Sequence, residues 1–364
     1  SRPAPHAPQR EACGQGNHRI MIIGGMFGLP PEGATGTAPP FGGESLFLAN
    51  ARSGILYVVR DLDPATIWMP SYLCQSMVEV LGELRERVRY FPVDAALQVS
   101  DIEWCEAIRE GDIVCVIDYF GWASSRALKR KARSAGATVL EDACQALLTG
   151  GLGEEADFLL FSPRKYVGVP DGGVLVSMRG KPFAGASLQA APEEWWQIAF
   201  AAAELRREFD ERGASDSDRR WYELFQRAED GPSGCYAMSS LARSQLFGSF
   251  DFAQISACRR DNYATLFERL GRIALLPAPA PSVVPLGFPV RFENEEIRER
   301  VRRGLIAEEI YPPIHWPLGD VVPASFVESH DLSRTILTLP CDQRYDSAHM
   351  TRIADAVEAH HDRA

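Results

Sequence analysis

The sequence predicts an α/β protein: a large domain with a mostly parallel sheet sandwiched by helices, followed by a small C-terminal α/β domain. Two observations carry this prediction. Short apolar runs bounded by Gly, Pro or Asp alternate with amphipathic stretches as far as residue 177, and a second pattern of strands and helices follows a Pro-rich linker. Strands that alternate with helices form parallel sheets that are buried on both faces.

The predicted strands of the large domain are short runs rich in β-branched residues, as buried strands are. They cover residues 55–59, 67–69, 88–91, 112–118, 137–140, 158–161 and 173–177. Residues 71–87, 100–109 and 124–135 each combine an apolar stripe with a charged face, and they are predicted as helices. After Gly180 the pattern becomes helical, and the polar, turn-rich residues 216–234 are expected to interrupt these helices.

The small domain is predicted from the change in pattern at the linker LPAPAPSVVP. A strand (GFPVRF), a helix (ENEEIRERVRRG), an extended stretch (IYPPIHWP), a strand (ILTLP) and a closing helix (YDSAHMTRIADAVEAHH) follow it. This unit has the size of a separate domain. We therefore predict a flexible N-terminal tail over residues 1–19, a large domain over 20–260 and a small domain over 261–364.

Composition and charge exclude several kinds of partner. The net charge of −11 disfavours binding to nucleic acid or to an anionic membrane, and no apolar run is long enough to span a bilayer. The eight cysteines form no CxxC pair and the seven histidines form no HExxH motif, so we expect no metal site. Scattered thiols are typical of a reducing compartment. We expect a cytoplasmic protein that acts on a small molecule.

The stretch from residue 138 to residue 175 carries the strongest chemical signal. One predicted strand ends in Glu141 and Asp142, and the next is followed by Ser162 and Lys165. Reactive groups gather at the carboxyl ends of parallel strands. The glycine-rich sequence after Lys165 allows the backbone to approach a ligand closely before the next strand begins.

Lysine is rare in this chain, which draws attention to Lys165. The other lysines are Lys129 and Lys131, on a predicted solvated helix face, and Lys181, after a turn. An enzyme that uses pyridoxal phosphate needs a lysine amine, a carboxylate beside the pyridine nitrogen, and hydroxyl or backbone N–H groups for the phosphate. Asp142, Ser162 and Lys165 offer one of each. Spacing alone leaves a second interpretation open, in which the acids only end a strand and Lys165 lies on the surface.

Several motifs give the chain a resemblance to a known family. They are NARSGI (50–55), MPSYLC (69–74), IDYFG (117–121), EDACQA (141–146), DFLLFSPRK (157–165), DGGVLV (171–176) and ILTLPCDQRY (336–345). With these motifs the chain resembles the DegT/DnrJ/StrS-type sugar aminotransferases, which are pyridoxal phosphate enzymes of fold type I. The most specific part is EDACQA followed by a strand, a serine and a lysine.

The resemblance implies a role for each matching residue. Lys165 forms the Schiff base with the cofactor, Asp142 pairs with the pyridine nitrogen, and Gln145 approaches the cofactor's ring. The phosphate is expected at Ser162 and at Ser53 and Gly54, where NARSGI opens a helix; a helix N-terminus favours a phosphate. For Ser53, capping the helix is an equally compatible role.

The chain also departs from the family pattern. Relatives commonly place the phosphate-binding serine five positions before the lysine, where this chain has Leu160. Cys74 takes the position of an aromatic residue that stacks on the cofactor in many relatives, so Tyr72 or Tyr119 is the candidate to cover the ring. The sequence SGCYAMSS (233–240) has no clear counterpart of the asparagine that many relatives contribute from the neighbouring subunit.

The activity that the resemblance implies is transfer of an amino group from an amino acid, usually glutamate, to a keto sugar, usually nucleotide-linked. Such enzymes act in amino-sugar, polysaccharide or secondary-metabolite biosynthesis, and a homodimer is expected. Tyr119, His315 and Arg291 are the candidate substrate contacts. Sugar dehydratases of the family carry His in place of the lysine, so Lys165 favours transamination. A dehydratase, a cyclitol aminotransferase and a non-catalytic regulator that binds pyridoxal phosphate remain alternatives.

Overall fold

The computed structural model describes residues 22–180, 183, 188–212, 219–232 and 234–361, and the predicted tail lies outside them. The strands are β1 (Ile23–Gly24), β2 (Glu44–Leu48), β3 (Ile67–Pro70), β4 (Val88–Phe91), β5 (Ile113–Ile117), β6 (Thr138–Asp142), β7 (Phe158–Phe161), β8 (Gly173–Ser177), β9 (Gln189–Ala190), β10 (Tyr236–Ala237), β11 (Phe288–Arg291), β12 (Ile310–Tyr311) and β13 (Ile336–Leu339). The α-helices are α1 (Ala51–Leu62), α2 (Ser76–Glu79), α3 (Arg126–Ser134), α4 (Glu193–Arg212), α5 (Arg220–Glu229), α6 (Ser240–Gly248), α7 (Phe252–Leu270), α8 (Glu295–Ala307), α9 (Val327–Thr335) and α10 (Ser347–His361).

One large sheet organises the molecule, and in the described part of the chain its order is β4-β3-β5-β6-β7-β8-β2-β10-β9. The five strands from β4 to β7 are parallel, whereas β8 and β2 run antiparallel to their neighbours. Strands β5, β7 and β8 are buried along their whole length, because other elements cover both faces. The predicted α/β architecture with a mostly parallel sheet is confirmed.

The register of the central strands brings their carboxyl ends to one edge. Ile117 of β5 is opposite Asp142 of β6, and Asp142 is in turn opposite Leu160 of β7. Residues that follow β5, β6 and β7 therefore meet at this edge, as the sequence predicts for Asp142 and Lys165.

One predicted strand, residues 55–59, is wrong, because these residues form the middle of α1. The Asn50 side chain caps this helix by accepting a hydrogen bond from the N–H of Ser53. Most of the run is buried against the sheet, so its sequence lacks the polar face that an amphipathic surface helix has. A short apolar run of this kind fits a buried helix as well as a strand.

The helical predictions hold in part. Residues 124–135 contain α3, but residues 71–87 contain only the short α2 and a 3-10 turn at Gly82–Arg87, and residues 100–109 contain a 3-10 turn. Gly82 has a φ of 57°, which ends the preceding turn because a right-handed helix needs a negative φ. The polar stretch 216–234, expected to interrupt the helices, itself contains α5.

The small unit packs its own core around β11 and β13, which pair antiparallel. Buried residues of α7, α8 and α10 share this core with both strands. Strand β1, near the start of the described residues, also joins it, because β1 pairs parallel with β12 and Ile23 is fully buried there. The strand and both helices predicted from GFPVRF, ENEEIRERVRRG and the closing sequence lie where expected. The boundary at residue 261 stays a prediction.

Candidate active site

Lys165 lies at the carboxyl edge of the sheet, immediately after β7. A 3-10 turn over Pro163–Lys165 presents it, and the N–H of Lys165 donates to the carbonyl oxygen of Ser162 at 3.1 Å. Lys165, Ser162 and His315 line one cavity of about 610 Å³. That volume lies in the range of small-molecule sites. Lys165 is thus not the surface residue of the alternative interpretation.

Asp142 ends the neighbouring strand β6. Its Oδ1 accepts a hydrogen bond from the N–H of Cys144 at 2.9 Å, and its carbonyl oxygen accepts one from the N–H of Asp118 at 3.0 Å. Burial, reinforced by the Asp142 carboxylate, raises the pKa of the Cys144 thiol and keeps that thiol neutral. Asp142 is 7% exposed, so its carboxylate is held in place beside β7.

Gln145 is buried in the turn after Asp142. Its Oε1 accepts from the N–H of Phe120 at 2.9 Å, and its carbonyl oxygen accepts from the hydroxyl of Tyr166 at 2.6 Å. Its Nε2 is buried and has no hydrogen-bond partner in the described part of the chain. An unpaired buried donor is costly, and a ligand that accepts a hydrogen bond would remove that cost.

Tyr72 and Tyr119 form an aromatic group with Trp316, with ring centroids 5.7 to 6.3 Å apart. The Tyr119 hydroxyl donates to the carbonyl oxygen of Tyr72 at 2.5 Å. The Tyr72 hydroxyl donates in turn to the backbone carbonyl oxygen of His315. Burial raises the pKa of both tyrosines, so they remain protonated donors. Cys74, only partly buried, contacts the Ser76 hydroxyl at 3.1 Å.

Ser53 and Gly54 both have structural roles in α1. The Ser53 hydroxyl donates to the carbonyl oxygen of Gly234 at 2.5 Å and contacts Asn50 Oδ1 at 3.1 Å. A Cβ on Gly54 would come within 2.6 Å of the Leu160 side chain, so this glycine lets α1 pack closely on β7. Phosphate binding by these two residues stays a prediction.

The structure separates the two substrate candidates of the small domain. His315 lines the cavity, and its Nδ1 lies 3.0 Å from the Thr338 hydroxyl. Burial, with help from the positive charge of Lys165, lowers the pKa of His315 to about 3, so its ring is neutral at pH 7. Arg291 is outside the cavity lining and pairs with Asp331 at 2.7 Å.

The expectation that Lys129 is solvated is wrong. Lys129 is 1% exposed and pairs with the fully buried Glu141 at 2.8 Å. The Glu141 carboxylate also accepts the N–H of Gly153 at 3.1 Å. The sequence contains a signal for this burial. Lys129 follows Leu128 and lies one helical turn before Ala132, and all three are on the buried side of α3. Lys129 therefore has a structural role in a buried ion pair, unlike Lys165.

Sequence reasoning also missed how strongly positive the cavity wall is. Its basic residues are Lys165, Arg164, Arg219, Arg259, Arg302 and Arg344. Its acidic residues are Glu229 and Asp342, which pair with Arg164 at 2.7 Å and with Arg344 at 2.8 Å. Arg164 and Arg344 lie within the motifs given above, but Arg219, Arg259 and Arg302 lie outside them and reach the wall only through the fold. In the described part of the chain we find no cluster of potential metal ligands and no helix long and apolar enough to cross a membrane.

Comparison with known proteins adds solved structures of similar architecture. No protein-family model matches the chain, and a search of curated protein sequences finds no match. The PLP form of Spr1654 from Streptococcus pneumoniae aligns with a TM-score of 0.62 and 14% identity, over 90% of this chain and 93% of that one. NtdA from Bacillus subtilis with bound PMP gives 0.63 and 14%, over 86% and 72%.

A third structure carries the family name that the motifs suggest. A DegT/DnrJ/EryC1/StrS aminotransferase from Brucella abortus aligns with a TM-score of 0.61 and 15% identity, over 88% of this chain and 86% of that one. Likeness at such low identity establishes architecture, which here extends over both the large sheet and the small C-terminal unit. The chain therefore has the fold of the fold-type I aminotransferases.

Proposed function

We propose that this protein is a pyridoxal phosphate-dependent aminotransferase of the DegT/DnrJ/StrS type. It moves an amino group from an amino acid, with glutamate as donor, to a keto sugar. The observation that carries the proposal is the placement of Lys165 and Asp142 at the ends of the neighbouring strands β7 and β6, within the fold of known aminotransferases. An amine and a carboxylate at one sheet edge match what the cofactor needs.

The residues at this edge fit the cofactor. Lys165 supplies the amine, Asp142 a carboxylate for the pyridine nitrogen, and Ser162 a hydroxyl on the cavity wall. The unpaired Nε2 of Gln145 supports the assignment most directly, because a cofactor oxygen would satisfy this buried donor. Tyr72 or Tyr119 would cover the ring, and the N-terminus of α1 would face the phosphate.

Each residue has a defined task in the reaction. Pyridoxal phosphate, when bound, supplies an electron sink for the carbanion that forms at the donor's α-carbon. Lys165 would hold the cofactor, and its Nζ would remove the proton from that carbon and deliver a proton to the acceptor carbon in the second half-reaction. The Asp142 carboxylate would hold a proton on the pyridine nitrogen. His315, being neutral, can hydrogen-bond a substrate without adding charge.

The positive cavity wall supports an anionic acceptor, and we propose a nucleotide-linked keto sugar. Four arginines of the wall besides Arg164 come from α7, α8, the start of α5 and the segment after β13. A positive wall in a chain of net charge −11 concentrates anions at the site. The same charge suits the carboxylates of a glutamate donor.

We propose that the enzyme works as a cytoplasmic homodimer in amino-sugar, polysaccharide or secondary-metabolite biosynthesis. The seven cysteines of the described residues form no disulfide bond with one another, which suits a reducing compartment. Sedimentation velocity of the purified protein should give the mass of two chains. A monomer with full activity would refute the dimer without affecting the proposed reaction.

The test of the activity is an absorption spectrum of the protein with added pyridoxal phosphate, recorded before and after glutamate. We expect a visible band that glutamate bleaches in the wild type and in the control variant Lys131→Ala, and that is altered in Lys165→Ala. A band that does not respond to glutamate would contradict the donor or the reaction. The absence of any band would contradict cofactor binding.

A further inference from the structure

The end of helix α5 is bonded to the turn that carries Lys165. Glu229, the last residue of α5, pairs through Oε1 with Nη1 of Arg164 at 2.7 Å, and Arg164 directly precedes Lys165 in the 3-10 turn. The two paired residues are 65 positions apart in the sequence. The ion pair therefore joins the hairpin of α4 and α5 to the lysine turn.

Two further hydrogen bonds hold the same end of α5 in place. Arg52, in the first turn of α1, donates from Nη2 to the carbonyl oxygen of Glu229 at 2.9 Å. Trp195 of α4 donates from Nε1 to the carbonyl oxygen of Ala228 at 2.8 Å. These donors satisfy carbonyl groups that a helix C-terminus leaves unpaired. These bonds hold the end of α5 in position, and with it the Glu229 side chain that pairs with Arg164.

The pair also lies in the cavity wall. Glu229, Arg164 and Lys165 all line the cavity, and the Arg164 side chain is 21% exposed. The Nε of Arg164 is buried without a partner in the described part of the chain, so the carboxylate of Glu229 is its main compensation. Removal of that carboxylate would leave the Arg164 cation next to Lys165 without its ion-pair partner.

We propose that Glu229 is a positioning residue for Lys165: through Arg164 it holds the lysine turn against the cavity and balances the charge beside the reacting amine. This inference rests on the proposed function for the role of Lys165. It assigns a purpose to the α4–α5 hairpin, which the motifs of the sequence leave unexplained. Glu229 does not touch the reacting atoms and is not a catalytic residue.

Several charged groups act on the pair, and one of them is the Asp171 carboxylate, which favours the charged form of Arg164. Glu229 faces Arg164, Arg52 and Lys165, and although burial acts in the opposite direction, the Arg164 charge lowers the pKa of Glu229 and keeps it ionised. Cys144 and His315 also lie near the charge of Lys165, and both are neutral at pH 7. Besides these groups, Asp142 lies at the end of the adjacent strand.

The first test measures the pH midpoint of the visible band with pyridoxal phosphate bound. Glu229→Gln should move the midpoint down by about 0.5 to 1 pH unit, because Arg164 is then an unpaired cation beside the protonated form. Arg164→Gln should move it up, because Glu229 is then an unpaired anion. The double variant should return close to the wild type, and Glu229→Asp should keep most of the wild-type midpoint.

The matched control is Glu223→Gln, an exposed glutamate on the same helix and outside the cavity lining. It should leave the midpoint unchanged. Equal midpoints for Glu229→Gln and Glu223→Gln, or shifts of the same sign for the two partners of the pair, would overturn the charge-balancing role. A loss of local packing alone would not produce opposite shifts that cancel in the double variant.

A second test needs no cofactor and so separates this inference from the proposed function. Hydrogen exchange of backbone amides in residues 162–166 should rise at least about threefold in Glu229→Gln and stay unchanged in Glu223→Gln, because the turn loses its anchor. Unchanged exchange in Glu229→Gln would overturn the positioning role even if the enzyme transaminates. A rise in exchange without any visible band would leave the anchor established and refute the cofactor assignment.

Discussion

At the scale of single residues, the buried pair of Lys129 and Glu141 has a large predicted effect on stability. Lys129→Met should lower the free energy of unfolding by about 3 to 5 kcal/mol, because it leaves the fully buried Glu141 carboxylate without its cation. Urea unfolding followed by circular dichroism measures this change. The double variant that adds Glu141→Gln should recover part of the loss, because the two residues act as one unit.

Lys131 provides the matched control on the same helix. It is half-buried and donates from Nζ to the carbonyl oxygen of Ile102 at 3.2 Å. Lys131→Met should cost less than about 1 kcal/mol, because no buried charge is left unpaired. Equal losses for both single variants would show that the buried pair has no special role.

His315 gives the protein a predictable dependence on pH. Its pKa of about 3 in the folded state lies below the ordinary value of 6.5, so below pH 6.5 the unfolded chain binds a proton that the folded chain excludes. The free energy of unfolding should therefore fall as the pH drops from about 6.5 towards 3. His315→Gln lacks this pH-dependent loss of stability. The difference in free energy of unfolding between the wild type and His315→Gln should therefore decrease, or change sign, at low pH. Parallel curves from denaturant titrations between pH 7 and pH 4 would contradict the assignment.

At the scale of elements, Gly168 is the point where two segments cross. The glycine-rich sequence after Lys165 is predicted to let the backbone approach a ligand, but the close approach at Gly168 is to the backbone of Gly28. A Cβ on Gly168 would lie 1.6 Å from the Gly28 carbonyl oxygen. Gly168→Ala should therefore separate the N-terminal segment from the lysine loop and lower the stability by about 3 kcal/mol. Thermal unfolding measures the loss.

Gly248 is the control for this substitution. It ends α6, and an added Cβ would meet no atom within 4 Å. Gly248→Ala should change the stability by less than about 1 kcal/mol, with alanine favoured by its helix propensity. If Gly168→Ala unfolds at the same temperature as Gly248→Ala, the contact with Gly28 does not hold the segment.

At the scale of the whole molecule, Arg259 joins the large sheet to the small C-terminal unit. It is fully buried in α7, and its Nη1 donates at 2.9 Å to the carbonyl oxygen of Leu286, directly after the linker. Its Nε donates to Oε1 of Gln343 at 2.9 Å, and Gln343 in turn donates to the carbonyl oxygen of Tyr166 at 2.6 Å. One side chain thus ties the small unit to the residue that follows Lys165.

Arg259→Met should lower the free energy of unfolding by about 3 kcal/mol or more, because several buried carbonyl groups lose their donor. The same variant should also bind pyridoxal phosphate more weakly, since Tyr166 is no longer held from the small unit. Urea unfolding and a cofactor titration measure the two effects. Arg260→Met, at the next and half-buried position, should leave both nearly unchanged. Similar results for the two variants would refute the joining role.

The sequence by itself determined the strands at the centre of the sheet and the residues at their ends. The runs 158–161 and 173–177 are short, apolar and bounded by turn residues, so their local pattern already specifies buried strands. The position of Asp142 and Lys165 at one edge follows from the parallel topology. The composition also restricted the candidates for a reactive amine to few lysines.

Only the tertiary structure decided which charged residues are buried and with whom. The run 55–59 lies in a helix that packs on the sheet and is therefore mostly apolar. The local sequence pattern cannot distinguish such a buried helix from a buried strand. Lys129 meets Glu141, Arg164 meets Glu229, and Arg259 meets Gln343 through contacts between residues far apart in the sequence. Such pairing depends on how whole elements pack in space, so periodicity and spacing along the chain carry no record of it.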